Sequence, residues 1–124
     1  VVDVTYAQAA GAHSWEYFPL GGGPTLGIGP HIHPFLFKRL RALAEKLEIP
    51  FSIEPMPVTS LTEAEAVQLT AAGVPTAIVS IPIRYMHSPV EVAALIDIQR
   101  AARLLTEFAF SLETDFLDKV VWDD

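Results

Sequence analysis

The chain has no cysteine. That excludes disulfides, thiolate metal sites and a cysteine nucleophile together. It also fits a reducing compartment, so a cytoplasmic setting is expected. Positive charge is scarce: eight Lys and Arg stand against fifteen Asp and Glu, a formal net charge of −7. A surface of that sign repels phosphate backbones, which sets nucleic-acid binding aside. No apolar run approaches the length that crosses a bilayer, and no signal-peptide pattern opens the chain, so no membrane partner is expected. Internal repeats and low-complexity segments are absent from the sequence. Several enzyme signatures are missing as well. The glycine-rich stretch lacks the Gly-Lys-Ser/Thr ending of a phosphate loop, and no His-Glu-x-x-His helix is present. Ser80 and Ser88 have no nucleophile elbow around them.

What is there is a globular composition. The chain has 124 residues, 51% of them hydrophobic and 19% charged, enough for one domain with a real core. It opens on "VVDVTYA", a strand pattern at the first residue with no initiator Met. That pattern leads to the expectation of a piece cut or trimmed from a longer polypeptide.

The spacing of apolar residues predicts an α/β order of elements. Val1 to Ala7 reads as a strand, rich in β-branched residues. The Gly- and Pro-dense "GAHSWEYFPLGGGPTLGIGP" reads as a long loop. "HPFLFKRLRALAEKL", His33 to Leu47, reads as a helix with Leu36, Leu40, Leu43 and Leu47 on one face and Pro34 in the first turn. "IPFSIEP" reads as a short strand. Thr62 and Glu65 form a capping-box pair ahead of a short helix closed by Gly73. "VPTAIVSIPI" is a nearly continuous apolar run, the pattern of a strand buried on both faces in a parallel sheet. Asp97 is placed to cap a last helix, "IQRAARLLTEFAFSL", with Ala101, Leu104, Leu105, Phe108 and Leu112 inward. The acidic tail carries Phe116, Leu117 and Trp122, which would pack back on the domain or on a partner.

In open α/β sheets, sites gather at the carboxyl ends of strands. His87 lies just past the last apolar run, and Asp3 lies inside the first strand between Val2 and Val4. A carboxylate in an apolar strand is costly to bury unless something positive meets it. That partner could be Arg84, a hydrogen-bond network or a metal cation. On pattern alone, a lone strand Asp is more often an edge residue, and a lone His before Ser-Pro more often a turn residue. Two ligands also make an incomplete zinc site. "HIH" at His31 to His33 has chelate spacing, but flanking Pro30 and Pro34 favour loop and helix-lead roles. His13 is assigned nothing. Glu63 and Glu65 suit a first helical turn, where the macrodipole favours acids.

The segments "VDVTYA", "GPTLGIGPHIHPFLFKRL", "AEKLEIPF", "GVPTAIVSIPIRYMHSPVEV" and "DIQRAARLLTEF" together resemble the C-terminal part of the dinuclear-metal aminopeptidases. That family comprises deblocking, glutamyl and tetrahedral aminopeptidases, some labelled cellulase or endoglucanase. The resemblance implies that residues 1–124 are the C-terminal portion of a phosphorylase/hydrolase-like, three-layer α/β/α catalytic domain, with an inserted β-barrel domain upstream. It implies two divalent metal ions, zinc or cobalt, that activate a water against a peptide carbonyl. It implies Asp3 and His87 as ligands of different metals of the pair, and Arg84 and Tyr85 at the site's edge near a peptide substrate. It also implies a homo-oligomer, often a dodecamer.

The remaining parts of such a site, a histidine, a bridging aspartate, a glutamate ligand and a glutamate base, would lie upstream. The isolated chain is therefore expected to be inactive, and to be found with the missing N-terminal portion or with copies of itself. One departure stands out. The family pattern Gly-Thr-Asp-Ala is replaced by Leu61-Thr62-Glu63-Ala64. That change supports an alternative of another class, a non-catalytic binding or assembly module that keeps the fold. A glycosidase would need two carboxylates roughly 5–5.5 Å apart, and only Glu63 and Glu65 offer a pair.

Overall fold

The structure is a computed structural model that describes residues 1–11 and 16–122; His13 lies outside the described residues. The first strand, β1 (Val2–Tyr6), forms where three β-branched residues and an aromatic alternate with Asp3. Next comes β2 (Thr25–Ile28), which interrupts the stretch read as a continuous loop. The glycines there serve close packing as well as turning. A Cβ on Gly27 would lie 3.1 Å from the Met56 sulfur, and one on Gly23, at φ +93°, would lie 1.7 Å from the Pro50 carbonyl oxygen. Sequence reading took this glycine density as turn chemistry, and so missed the strand.

Helix α1 (Pro34–Lys46) buries Leu36, Phe37, Leu40 and Ala44. Pro34 occupies its first turn, as expected, where a missing N–H costs nothing. Strand β3 (Ser52–Pro55) follows, then the short α2 (Ala64–Gln68) and the central strand β4 (Val79–Arg84). The two-residue β5 (Val92–Ala93), α3 (Leu95–Phe110) and α4 (Phe116–Lys119) complete the order.

The strands form one sheet in the order β1-β4-β2-β3, with β5 added at the far end of β4. β1 runs parallel to β4, while β2 and β5 run antiparallel to it. The expected α/β class holds, but the sheet is mixed rather than purely parallel. β4 still has the burial its apolar run implied, because it is paired on both sides. Its ladder starts at Val79, later than the apolar run.

Register fixes which side chains share a face. Val2, Val79, Leu26 and Ile53 align on one face. Helices α1 and α3 pack against each other and against β2 and β4 on that side. Leu26, Val79, Ala101 and Leu104 are buried there with Ile78 and Ala44. No helix reaches over β1, so its Val2, Val4 and Tyr6 are about half exposed among the described residues. The α3 stripe runs as expected through Ala101 and Leu104, but Leu112 lies beyond the helix and is exposed.

Asp97 departs from its expected place. Ala94 caps α3, and Asp97 sits inside the first turn, fully buried. Its two carboxylate oxygens accept the backbone N–H groups of Gly21, at 2.7 Å, and Gly23, at 2.8 Å. The residue therefore holds the loop entering β2 rather than the end of its own helix. The tail packs back on the domain. The Phe116 ring meets Phe35 and Phe108 edge-on, with the Arg39 guanidinium 5.4 Å from its centroid.

Candidate active site

The face of the sheet away from α1 and α3 is polar. Asp3 aligns with Ser80, Ser80 with Thr25, and Gly27 with Glu54. Thr5, Thr25 and Ser80 are buried on this face. Above it lies a cleft of about 440 Å³ whose walls include Asp3, Glu54, Met56, Thr62, Met86 and His87. No Lys or Arg lines it among the described residues.

Asp3 is half-buried, and its Oδ1 accepts the backbone N–H of Val4 at 2.8 Å. That contact follows from topology. Ala7 N–H donates to Ile83 and Val1 carbonyl accepts from Val79, so odd-numbered residues of this strand address β4. Val2, Val4 and Tyr6 turn their backbone groups to the outer edge. Asp3 thus bonds one of those outward N–H groups and lines the cleft. Burial costs it less than the sequence suggested, since it is only half removed from water.

His87 is delivered by a tight turn at the end of β4. Tyr85 and His87 both take left-handed backbone angles, φ +61° and +64°. Non-glycine residues adopt this region rarely, and the strain is characteristic of functional turns. The turn is held by Ser88 N–H donating to the Tyr85 carbonyl at 3.1 Å and by His87 N–H donating to the Glu91 carboxylate at 2.7 Å.

Arg84 and Tyr85 are not among the residues that line the cleft. Arg84 Nε donates to the Gln8 carbonyl at 2.6 Å, so the guanidinium is not the partner of Asp3. The Tyr85 side chain is largely exposed. Among the described residues, Asp3 and His87 are brought to one cleft, and no group of three or more His, Cys, Asp or Glu is arranged to hold a metal ion. A carboxylate and an imidazole are suitable donors for a borderline divalent ion, but they are too few for a closed site.

Sequence reasoning missed Glu54. Its Oε1 accepts the Thr5 hydroxyl and its Oε2 the Thr25 hydroxyl, both at 2.6 Å. The only sequence signal was an acid alternating with Ile53 in a four-residue strand.

The rim loop, residues 58–62, is held by Glu65. Its carboxylate accepts the Thr59 hydroxyl, the Ser60 N–H and the Ser60 hydroxyl, and the Thr59 and Ser60 bonds hold its pKa below the usual carboxylate value. The expected capping box is thus shifted. Glu65 reaches back to Ser60 rather than to Thr62, while Thr62 Oγ1 accepts the Ala64 N–H. Leu61 on this rim is 89% exposed at φ +52°, a conformation that suits glycine better than leucine.

The other histidines point apart. His31 sits between the Val58 carbonyl and Gln68, while His33 is buried at the start of α1 with its ring 4.1 Å from that of Trp122. The spacing of "HIH" does not produce a chelate.

The model of the M42 glutamyl aminopeptidase family matches residues 1–104. The chain belongs to that family. A lysyl aminopeptidase of Pyrococcus furiosus is 41% identical over 103 residues, which span 83% of this chain and 30% of that one. The solved aminopeptidase APDkam598 of Desulfurococcus kamchatkensis superposes with a TM-score of 0.84 at 32% identity, covering 96% of this chain and 35% of that one. The Pyrococcus horikoshii TET1 peptidase, which assembles into a tetrahedron or a large octahedral shell, gives 0.64 at 26% identity, over 90% of this chain and 33% of its own. This M42 chain spans about a third of the length of the relatives it matches.

Proposed function

We propose that residues 1–124 form the C-terminal portion of the catalytic domain of a metal-dependent aminopeptidase, which releases N-terminal residues from peptides. One observation carries the reading: Asp3, from the first strand, and His87, from the turn after β4, line the same cleft. Membership of the M42 family supports it.

On this reading Asp3 and His87 are ligands of two divalent ions, zinc or cobalt, with the remaining ligands and the general base supplied from upstream. Ions bound there would polarise the scissile carbonyl and lower the pKa of a water. The chain's own residues hold the geometry. Val4 N–H fixes one oxygen of Asp3 and leaves the other free to ligate. The strained Tyr85–His87 turn presents the imidazole. Arg84 and Tyr85, immediately before Met86 on the cleft wall, would meet parts of a peptide that extend past the cleft. The open outer edge of β1 at Val2 and Val4 would pair with the upstream portion of the same polypeptide. Assembly into a homo-oligomer is proposed from the TET1 relative, and a cytoplasmic setting from the absence of cysteine.

The test is made in the full polypeptide. Asp3→Ala and His87→Ala should each lower kcat/KM for N-terminal residue release by at least about 10²-fold, roughly 3 kcal/mol, with loss of bound metal by elemental analysis. Full activity in both variants would end this assignment. A second reading, a non-catalytic module with the same fold, draws on Leu61 and Glu63 standing in the family's Gly and Asp positions. A full polypeptide that binds no metal and cleaves no peptide would favour it.

A further inference from the structure

The Thr5–Glu54 contact has a geometric consequence. In the strand order β1-β4-β2-β3, Thr5 and Glu54 stand on the two outer strands of the path. In a flat sheet those strands would be about 14 Å apart, three strand spacings, beyond the combined reach of the two side chains. Yet Thr5 Oγ1 and Glu54 Oε1 are 2.6 Å apart. The sheet is therefore curled toward its polar face, and a single carboxylate ties its two sides together. The second oxygen of that carboxylate takes the Thr25 hydroxyl from β2. Both Thr5 and Thr25 are buried and Glu54 is half-buried, so these bonds are partly shielded from water. The backbone ladder beside β1 does not supply this restraint. Among the described residues, β1 is bound along its length only to β4, and its outer edge is bridged only near Tyr6 to Gln8, by Phe18.

Thr5 is two residues from Asp3 on the same strand, so both side chains leave the same face. We infer that Glu54 is a positioning residue: by clamping Thr5 against Thr25 it sets the curl of the sheet, and through it the location of the Asp3 carboxylate in the cleft. It acts through β1 and not by contact with the metal or the peptide. The inference rests on Asp3 being a ligand, as proposed above.

The experiment uses the full polypeptide and four variants, Glu54→Ala, Glu54→Gln, Thr5→Val and Thr5→Ser. Zinc affinity is measured by chelator competition, alongside kcat and KM for a peptide substrate. A glutamine can still accept one hydroxyl and donate to the other, because a threonine oxygen works in either role. A positioning role therefore predicts that Glu54→Gln and Thr5→Ser stay within about 3-fold of the parent zinc affinity, while Glu54→Ala and Thr5→Val weaken it by about 10–100-fold, the range for groups that orient metal ligands. The loss should fall on kcat, with KM little changed.

Equal damage from Glu54→Gln and Glu54→Ala would mean that the charge itself acts in the cleft, and would overturn the inference. So would parental affinity in all four variants. Should Glu54→Ala fail to fold, the Thr5→Ser and Thr5→Val pair decides the question. A parent protein that binds no zinc and cleaves no peptide would instead remove the aminopeptidase reading on which the inference stands.

Discussion

The two faces of the sheet are built from the same strands and hold together by different means. On the helix side, Leu26, Val79, Ala101 and Leu104 are removed from water almost completely and touch one another without direction. On the cleft side, Asp3, Ser80 and Thr25 line up across three strands, and a carboxylate from a fourth is held by the hydroxyls of Thr5 and Thr25. β4 serves both because its side chains alternate: Val79 faces the helices and Ser80 faces the cleft. Dispersion and burial make the first face tolerant of exchange among apolar residues of similar volume. Hydrogen bonds make the second face specific in direction, so that a change of one atom there moves a neighbour.

This contrast can be broken at the helix side first. Leu104 is fully buried between α3 and the sheet. Leu104→Ala should cost about 3–5 kcal/mol, from lost burial and a residual cavity, seen as a lower urea midpoint. A loss below 1 kcal/mol would mean that the helix layer is not the main source of stability.

Asp97 comes next, where the two principles meet. It is a buried charge on the helix side that bonds two backbone N–H groups, with the Arg100 guanidinium 3.7 Å away. Asp97→Ala would leave those donors unpaired and should cost about 2–4 kcal/mol. Faster amide exchange should be confined to residues 20–23. Unchanged exchange there would show that the loop does not depend on this carboxylate.

The smallest effect sharpens the comparison through pH. His33 is buried on Trp122, and among the described residues neither ring nitrogen has a hydrogen-bond partner. Burial holds its pKa below the ordinary value of 6.5. The unfolded chain therefore takes up a proton before the folded one does as pH falls. Stability should drop as pH passes below about 6.5. His33→Phe should flatten the change in urea midpoint between pH 7 and pH 5. Glu65, whose folded pKa is depressed, loses its contribution only lower, as pH falls below its usual 4.5. A slope between pH 7 and 5 that survives His33→Phe would assign it elsewhere.

The legibility of these features differs by residue. Periodicity was sufficient for α1, α3, β1 and β4, because amphipathic spacing reports which side must be dry. β2 was hidden by glycines whose purpose is close packing against Pro50 and Met56, a contact between segments distant in sequence. Asp97 looked like a cap because local spacing cannot show a backbone donor from another loop. Asp3 and His87, which line one cleft, were singled out by their strand positions and proposed as ligands from the family resemblance. Glu54 was not, since nothing near it in sequence distinguishes it from a surface acid.

The order of amino acids by itself determined the α/β class, the main helices, the apolar central strand and the motifs that mark the family. Those follow from local propensity and burial, which act over a few residues. The tertiary structure decided the mixed direction of the sheet, the duty of Asp97 and the curl that brings Thr5 to Glu54. Such features depend on groups far apart along the chain, whose hydrogen bonds exist only once the strands have been laid side by side.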